Sequence, residues 1–214
     1  METYHKIQTV YLRDPENKYR TLLDGQYAKP EFKYLTDCEW VFTEKIDGMN
    51  IRVGWDEKAK EVMLGGRTDR AQIPAALILE LQRMLPKDTF HALYPDTPMT
   101  LYGEGYGAKI QKGGGNYIPD GVSFILFVII INGNYLSREN VVDIANNLNI
   151  KVVPIVERGS LRKAVSIVRA GFGSLIGPQQ AEGLVVRPSI ELADRMGHRI
   201  ITKIKCKDFA RITP

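Results

Sequence analysis

The sequence predicts a single α+β domain over residues 1–214, in which antiparallel sheets carry the polar motifs and a few helices lie outside them. Three observations predict this fold class. Short alternating or continuous apolar runs indicate strands, segments with helical spacing of apolar residues fall between them, and turn-forming residues separate the two. The length, the 44% hydrophobic content and the 25% charged content are ordinary for a globular protein with a substantial core.

The strands are predicted from apolar patterning. Residues 40–43 form a short apolar run that indicates a strand. In residues 50–55 the apolar side chains alternate with Arg52 and Gly54, as in a half-buried antiparallel strand. A polar turn then leads to residues 61–64, and this arrangement predicts a hairpin.

Three helices are predicted from apolar side chains at helical spacing. Residues 74–85 have a proline near their start, which suits the first turn of a helix. Residues 139–148 follow Ser137 as the N-cap, and residues 160–169 begin with an N-cap serine and have a glycine past their end. The first forty residues are polar and rich in turn formers, and they predict a loop and strand element that leads into the core.

The composition restricts the class of protein. The formal net charge is +4, with basic groups distributed along the chain, and this fits a nucleic-acid partner. Cys38 and Cys206 belong to no Cys/His cluster, so we expect neither a zinc site nor a disulfide framework, and we expect a reducing compartment. The N-terminus has no apolar signal core. The apolar run at residues 124–131 is too short to span a bilayer and predicts a buried strand, so no membrane partner is expected.

The most informative polar cluster is Glu44-Lys45-Ile46-Asp47-Gly48-Met49-Asn50. Packing explains a lysine there poorly, because the hydrated ammonium group is rarely buried without a partner or a task. A lysine amine beside groups that depress its pKa is a candidate covalent nucleophile. The glycine allows the backbone to come close to a ligand. Taken alone, the same pattern also fits a hydrophilic surface turn.

Further motifs follow in order along the chain. They are Gly65-Gly66-Arg67-Thr68, Leu101-Tyr102-Gly103-Glu104-Gly105, the run from Phe124 to Ile129, Glu182-Gly183-Leu184-Val185-Val186-Arg187-Pro188, and the segment from Thr202 to Phe209. The ordered series resembles the covalent nucleotidyltransferase superfamily of ATP-dependent RNA and DNA ligases and mRNA capping enzymes. Within that superfamily it is most similar to the phage-type RNA ligases, whose signatures are E-K-x-x-G-x-N, G-E-G and K-x-K-x-x-x-F. The resemblance implies the ATP-grasp-like catalytic domain of these ligases.

The resemblance makes Lys45 the nucleophile that attacks the α-phosphorus of ATP, expels pyrophosphate and then carries AMP as a phosphoramidate. A lysine amine with its ordinary pKa of about 10.4 is mostly protonated at neutral pH. The site must therefore lower that pKa, and a divalent metal beside the amine and the phosphate is the expected means. The alternative is an ordinary surface lysine.

The resemblance assigns three carboxylates to the metal, which is expected to be Mg²⁺ or Mn²⁺. Asp47 and Glu182 match the positions that contact the metal's water shell, and Glu104 matches a glutamate that hydrogen-bonds the ribose and assists the metal. Magnesium is usually held by one or two carboxylates together with waters and phosphate oxygens. For Glu182, which precedes an apolar run, a solvated glutamate at a strand end is the alternative.

The other polar residues that the resemblance assigns to ATP are Glu44, Asn50 and Arg67. Glu44 is expected near the exocyclic amine of adenine, and Asn50 is expected to touch the phosphate or ribose during sealing. Arg67 matches an arginine for the ribose or for the incoming 5′-phosphate, and the planar guanidinium suits both tasks. An arginine at a hairpin end is the alternative. Glu104 lies between two glycines, which would allow a ligand to approach the backbone closely.

An aromatic side chain that stacks on adenine is expected in the apolar run. Phe127 matches this position, although Val128 replaces the aspartate that usually follows in the family. A strand this apolar also fits burial of both phenylalanines in the core. Strict alternation places Phe124 and Phe127 on opposite faces, so at most one of them stacks. Phe127 is the choice and Phe124 the substitute.

Lys203 and Lys205 match the K-x-K motif, with Phe209 at the expected distance. Alternation along a strand places both lysines on one face, where both would reach the α-phosphate and offset the charge that builds there. Lys207 would extend the same row, and this leaves the register open. A basic edge strand that discourages aggregation is the alternative.

The implied reaction is ATP-dependent joining of RNA ends in three nucleotidyl transfers. Lys45 takes AMP from ATP, the AMP passes to a 5′-phosphate end, and a 3′-hydroxyl then attacks that phosphate and releases AMP. The expected partners are RNA ends in a nicked duplex, in a single strand or in a hybrid with a DNA strand. Because the sequence ends at Pro214, we expect no C-terminal OB-fold or helical domain, and a helper domain or protein is a candidate to supply the clamp.

Other functions stay open at the level of the sequence. A stand-alone adenylyltransferase or a DNA ligase-like enzyme would use the same lysine chemistry, and a capping-type guanylyltransferase would use it with GTP as the donor. A nucleic-acid-binding module that has lost turnover would form no covalent adenylate. The oligomeric state is open. The expected setting is the cytoplasm, including that of a cell infected by a phage or another virus.

Overall fold

A computed structural model describes residues 1–209, and these residues belong to two compact units. The first unit contains Met1–His5 and Asp47–Val153, and the second contains Lys6–Ile46 and the chain from Pro154 onward. The chain passes from the second unit to the first after Ile46, so the lysine motif contributes residues to both. The single domain over residues 1–214 stays a prediction, and its last five residues lie outside the described part.

The described residues form β-strands and α-helices in chain order. The strands are β1 (Gln8–Thr9), β2 (Tyr11–Arg13), β3 (Leu22–Tyr27), β4 (Trp40–Glu44), β5 (Met49–Asp56), β6 (Glu61–Gly66), β7 (Met99–Gly107), β8 (Val122–Ile131), β9 (Asn134–Tyr135), β10 (Lys151–Val152), β11 (Ile155–Gly159), β12 (Gly183–Pro188) and β13 (Thr202–Lys205). The helices are α1 (Pro30–Tyr34), α2 (Ala75–Met84), α3 (Lys87–Leu93), α4 (Arg138–Asn147) and α5 (Leu161–Ala170). Single 3₁₀ turns occur at Gly114–Asn116 and Cys206–Asp208.

The first unit is built on a sheet with the strand order β10-β8-β7-β5-β6, and β9 also pairs with β8. Its pairs are antiparallel apart from the parallel pair of β10 and β8. The predicted hairpin is confirmed, because Asp56 at the end of β5 pairs with Glu61 at the start of β6. Leu77 and Leu81 of α2 and Phe90 of α3 join Ile51 of β5 in one core cluster. The helices therefore cover one face of this sheet.

The second unit is built on a sheet with the strand order β1-β13-β12-β4-β11, and β2 and β3 form a separate pair. Here β1 is parallel to β13, and the other pairs are antiparallel. The core cluster joins Phe42, Leu184 and Ile204 from the sheet with Leu161 and Val165 from α5. The predicted α+β class, with antiparallel sheets flanked by helices, is confirmed.

The three predicted helices are present within one residue of their predicted bounds. The Ser137 hydroxyl accepts a hydrogen bond from the Asn140 N–H at 3.4 Å, and Ser160 accepts one from the Lys163 N–H at 3.2 Å. Both serines are thus N-caps, as expected. The short helices α1 and α3 were not predicted, because each buries one large side chain and so has no apolar periodicity to find.

The prediction that β5 is half-buried is wrong, because both of its faces are covered. Arg52 is only 1% exposed, and its guanidinium donates to the carbonyl oxygens of Gly66 at 2.7 Å and of Met1 at 3.0 Å. A third donor reaches Asp69 at 2.7 Å. These acceptors compensate for the burial of the charge. Arg52 does alternate with apolar residues along β5, but the N-terminal segment covers the face of β5 on which Arg52 lies.

No helix within residues 1–209 combines the length and the apolar character that crossing a membrane would require.

Candidate active site

The carboxylate of Glu182 bridges two lysines within the second unit. Oε2 accepts a hydrogen bond from Lys45 Nζ at 2.6 Å, and Oε1 accepts one from Lys205 Nζ at 2.7 Å. The Glu182 side chain is 15% exposed, so the ions are largely shielded from bulk water. Hydrogen bonds between charged groups at such distances are among the strongest in proteins. The structure thus brings three of the predicted site residues into direct contact.

Sheet pairing explains this contact between residues that are far apart in the sequence. Strand β12 lies between β4 and β13, where Leu184 pairs with Glu44 and Gly183 pairs with Lys205. The backbone N–H of Lys45 donates to the Gly183 carbonyl at 2.9 Å, one residue past the end of β4. The ends of three neighbouring strands therefore position the side chains of the bridge.

The pKa of Glu182 lies below its usual value. Burial raises the pKa, but the charges and hydrogen bonds of Lys45 and Lys205 outweigh burial and lower it. Glu182 is therefore ionised at neutral pH and holds both ammonium groups in place.

Replacing Glu182 with glutamine is expected to lower the free energy of unfolding by about 1–3 kcal/mol at neutral pH, because two partly buried ammonium groups lose their counter-ion. Since the folded pKa is below the unfolded one, this stabilisation is complete above the unfolded pKa of about 4.3 and is lost as the pH falls through the folded pKa. Urea unfolding of the wild type and of Glu182→Gln in metal-free buffer, as a function of pH, measures the difference between their free energies of unfolding. The two stabilities should differ at neutral pH and converge in acid.

Glu61→Gln is the matched control, because Glu61 and Lys87 form an ion pair at 3.9 Å in which both side chains are well exposed. This control should change little at any pH. A Glu182→Gln deficit that stays the same down to acid would contradict the assigned ion pairs.

Lys203 and Lys205 lie on the same face of β13, as alternation predicts. Thr202 and Ile204, which alternate with the two lysines along the strand, are buried, whereas both lysines are partly exposed. Strand β13 ends at Lys205, so Lys207 lies in the following 3₁₀ turn and not on the strand. The edge-strand alternative is wrong, because β13 lies between β1 and β12.

Glu44 is 2% exposed at the end of β4, and its carboxylate is already engaged inside the second unit. The Ser174 hydroxyl donates to one oxygen, and the Leu175 backbone N–H donates to the other at 2.8 Å. Sequence reasoning missed Ser174 and Leu175, because they lie in an irregular loop without a motif. The expected contact between Glu44 and adenine stays a prediction.

In the first unit, Asn50 on β5 and Glu104 on β7 are direct cross-strand partners. Their neighbour Ile51 lies in the core beneath the helices, so alternation places Asn50 and Glu104 on the opposite face. The Asn50 Oδ1 atom is buried and has no hydrogen-bond partner among residues 1–209. Buried polar atoms normally find a partner, so this acceptor marks a place where a ligand donor would be stabilised.

The glycines around Glu104 serve the core and not a ligand, which corrects the expectation from sequence. A Cβ on Gly103 would lie 2.3 Å from the ring of Phe124, and a Cβ on Gly105 would lie 2.4 Å from Leu77. Both glycines thus face the helix side and leave room for large core side chains. Glu104 points to the other face because the residues on either side of it point inward.

Gly48 likewise allows a close approach within the protein. A Cβ there would lie 2.2 Å from the carbonyl oxygen of Gly105, so Gly48 packs directly on β7. The next residue back, Asp47, donates its backbone N–H to the Tyr117 hydroxyl at 3.2 Å. Its carboxylate lies near the loop that contains Gly113, and within residues 1–209 it forms no ion pair or hydrogen bond. This carboxylate is therefore available to a metal-bound water.

A β-bulge separates the two candidate phenylalanines. Tyr102 of β7 pairs with Val128 and Gly103 pairs with Leu126, so Phe127 is the extra residue of β8. Phe124 is buried in the core beneath the helices. Phe127 is only partly buried, and its ring centroid lies 5.1 Å from that of Tyr4 on the opposite face. Phe127 is thus the phenylalanine that shares a face with Glu104.

Arg67 is exposed directly after the end of β6. The carbonyl before it, that of Gly66, accepts the Arg52 hydrogen bond, so the buried arginine fixes the backbone that leads to Arg67. Sequence reasoning missed this supporting role of Arg52. A polar residue within an alternating strand carries no sign that its own face will be covered.

The residues present fit a divalent metal of the magnesium type. No three His, Cys, Asp or Glu side chains gather into a metal-holding group within residues 1–209. Magnesium often needs only one or two carboxylates and completes its shell with water and phosphate. Asp47 in the first unit and Glu182 in the second each offer one carboxylate within their own unit. Each oxygen of Glu182 keeps a further lone pair beyond its lysine contact.

Comparisons with solved structures show where this fold occurs. The Naegleria gruberi RNA ligase with PPi matches at a TM-score of 0.67 and 20% identity, over 96% of this chain and 56% of that one. A glutamate-to-alanine mutant of that enzyme with ATP and Mn matches at a TM-score of 0.69, 18% identity and the same coverages. At this identity the likeness establishes a shared fold. The chain spans about half the length of these structures.

Sequence comparisons carry the assignment of the family. Among curated proteins, no sequence matches the chain significantly. The family model described as RNA ligase matches residues 38–205, which contain all ten predicted site residues. The chain therefore belongs to the RNA ligase family.

Proposed function

We propose that this chain joins RNA ends at the expense of ATP, with Lys45 carrying AMP as a covalent intermediate. The observation that carries the proposal is the bridge in which Glu182 holds Lys45 at 2.6 Å and Lys205 at 2.7 Å. A partly buried lysine with this support fits the role of a positioned nucleophile. Membership of the RNA ligase family supports RNA as the substrate class.

In the first step the neutral amine of Lys45 attacks the α-phosphorus of ATP. The N–P bond forms, the bond from the α-phosphorus to the bridging oxygen breaks, and pyrophosphate leaves while the amine gives up a proton. Glu182 Oε2 is within reach of that proton, but its lowered pKa makes it a weak base. Its main contribution is then to hold the amine in one place before attack.

Lys203 and Lys205 supply positive charge from one face of β13. Phosphoryl transfer is catalysed mainly by positioning and by charge stabilisation of the phosphate oxygens. Lys205 already contacts Glu182, so its ammonium is held beside the nucleophile by the same carboxylate. We assign these two lysines to the α-phosphate.

A divalent metal, Mg²⁺ or Mn²⁺, would neutralise phosphate charge and favour the neutral amine when bound. Asp47, Glu104 and Glu182 are the residues that we propose to hold it through its water shell. The structures of the Naegleria gruberi enzyme with ATP and Mn and with AMP and Mn support ATP and a divalent metal as ligands here.

The remaining predicted residues are proposed to bind the nucleotide and the RNA ends. The buried Oδ1 of Asn50 is an acceptor without a donor and suits a ribose hydroxyl. Glu104 is proposed for the ribose, Phe127 for stacking on adenine, Glu44 for the adenine amine and Arg67 for the ribose or the 5′-phosphate. The exposure of Arg67 supports a contact with an incoming strand.

The later steps pass AMP to a 5′-phosphate and then release it when a 3′-hydroxyl attacks. We propose that the ends are presented in a nicked duplex or a single strand, with a DNA strand in a hybrid as a further substrate, and that a helper domain or protein assists the clamp. A cytoplasmic setting, including a cell infected by a phage or another virus, fits this substrate.

Incubation with ATP and magnesium is expected to add one AMP, about 329 Da, to the intact protein. Peptide mapping should place it on the peptide that contains Lys45. GTP should add nothing, which distinguishes this function from a capping-type guanylyltransferase, and EDTA should suppress the gain. The absence of any adduct with ATP and either Mg²⁺ or Mn²⁺ would contradict an autonomous first step and favour a binding module.

A further inference from the structure

A groove of about 1010 Å³ in the second unit has six basic side chains among the fourteen residues that line it. We call it the basic groove. Its volume is at the upper end of the range of about 300–1,000 Å³ that is typical of small-molecule sites. Its cations are Lys6, Arg13, Arg20, Lys203, Lys205 and Lys207.

The protein balances part of the positive charge of the basic groove, because Asp208 pairs with Arg13 and Glu182 pairs with Lys205. The acid that lines it is Asp208, which is 5% exposed at its side chain and is held by Arg13 Nη2 at 3.0 Å. The side chains of Lys6, Arg20 and Lys207 are exposed, and the structure gives them no ion pair within residues 1–209. Clustered cations without counter-ions attract an anionic ligand.

An aromatic side chain stands beside these cations. Tyr19 lines the basic groove and is 63% exposed, and its neighbours in sequence are Lys18 and Arg20. Exposed aromatic rings next to basic groups are typical of proteins that bind single-stranded nucleic acid, because bases stack on the ring while cations hold the backbone. A bare pyrophosphate would make no use of the ring.

The basic groove continues to the proposed nucleophile within the same unit. Strand β1 lies parallel to β13, so Thr9 at the wall of the groove pairs with Lys203. Lys205 also lines the groove and contacts Glu182, which in turn contacts Lys45. A strand lying in the groove would therefore lead its end toward the reacting lysine.

We infer that the basic groove binds the sugar-phosphate backbone of a single-stranded RNA segment next to the end that is joined, with Tyr19 stacking on a base. The inference rests on the proposed function for its choice of RNA. Successive phosphates of the strand bind successive cations of the groove. A strand with many phosphates can contact more of these cations than the short triphosphate of ATP can.

The test measures binding of a labelled, 5′-phosphorylated, single-stranded RNA to the full chain. The triple variant Lys6→Gln, Arg20→Gln and Lys207→Gln should weaken binding by roughly 10- to 100-fold and reduce the salt slope of log K by about 2, since each lost phosphate contact contributes about 0.7. Tyr19→Ala should weaken binding by roughly 5- to 100-fold and leave the salt slope unchanged.

The matched control replaces Lys33, Lys58 and Lys151 with glutamine, because these lysines are exposed and lie outside the basic groove. It removes the same charge and should bind RNA like the wild type. Equal weakening of RNA binding by the control and the groove variant would overturn the inference, because the loss of binding would then come from the change in net charge alone.

Adenylylation by ATP is measured on the same proteins to separate the two proposals. A groove variant that loses RNA binding and sealing by a larger factor than adenylylation supports the inference. A raised KM for ATP with unchanged RNA affinity would assign the groove to the triphosphate and overturn it. Absence of the adenylate in the wild type would contradict the proposed function, while direct RNA binding would still test the groove.

Discussion

Lys45→Ala is expected to form no covalent adenylate under conditions in which the wild-type chain forms one. Only Lys45 among the three residues of the Glu182 bridge is proposed as a reacting nucleophile, and alanine has no amine to form the N–P bond. ATP-dependent sealing of RNA by this variant should also fall to background. Intact-protein mass and a gel assay for sealed RNA measure the two effects.

Lys45→Arg separates the chemistry from the ion pair. Arginine keeps a positive charge that can pair with Glu182, but its guanidinium stays protonated and is not a nucleophile. The variant should keep most of the stability of the wild type and form no adenylate. Lys33→Ala is the neutral control, because Lys33 is exposed and lies outside the bridge. It should be adenylated like the wild type.

RNA that already carries a 5′ adenylate gives the sharpest form of this test. Joining that RNA requires attack by the 3′-hydroxyl and loss of AMP, and no bond to Lys45 forms or breaks. Lys45→Ala should therefore recover sealing with the pre-adenylated RNA while remaining inactive with ATP. An adenylate that still forms on Lys45→Ala would show that another side chain is the nucleophile.

Gly183→Ala is expected to destabilise the second unit by roughly 3 kcal/mol or more, which is a large part of the stability of an ordinary domain. A Cβ at this position would lie 2.0 Å from the Ile204 carbonyl oxygen and 2.8 Å from the Lys205 Cα. Both obstacles are backbone atoms of the neighbouring strand and cannot rotate away. The φ of +151° adds strain for any residue with a side chain.

Two other glycines provide the controls for this experiment. Gly25 has a φ of +75°, and no atom lies within 4 Å of the place that a Cβ would take, so Gly25→Ala should cost only about 1 kcal/mol from the backbone conformation. Gly173 has open space and an unstrained φ, so Gly173→Ala should cost less still. Urea unfolding of the three variants measures the order of their losses in free energy of unfolding. Equal costs for Gly183→Ala and Gly25→Ala would contradict the close strand approach.

The effect of Gly183→Ala should extend to the site. Gly183 pairs with Lys205, and its carbonyl accepts the Lys45 N–H. Displacement of β13 would therefore move Lys205 relative to Glu182, and a shift of the Gly183 backbone would move Lys45. Any folded fraction of the variant should adenylate more slowly than the wild type. Adenylation per folded molecule, with the folded fraction taken from the unfolding curve, measures this.

The helices and the main strands could be predicted from sequence because local patterns encode them. Ser137 and Ser160 cap their helices as their positions indicate, and the hairpin of β5 and β6 follows from apolar runs around a polar turn. The helices α1 and α3 were missed because each has too few buried side chains to show a period. The local sequence is sufficient to predict a helix or strand only where its apolar pattern repeats.

The roles of the glycines in the motifs could not be predicted in the same way. Gly48, Gly103 and Gly105 suggested close contact with a ligand, whereas they accommodate β7, Phe124 and Leu77. A glycine in a sequence indicates that space is short or that the backbone is unusual. Which neighbour takes the space depends on the pairing of distant strands.

The sequence by itself determined the α+β class, the order of the motifs and the residue types of the site, because each motif is local and its chemistry follows from a few side chains. Only the tertiary structure decided that Glu182 bridges Lys45 and Lys205, that a bulge separates Phe127 from the core, and that Arg52 is buried. These features depend on strand register and on which surfaces are covered. Register and coverage arise from contacts between distant segments, and no local pattern encodes them.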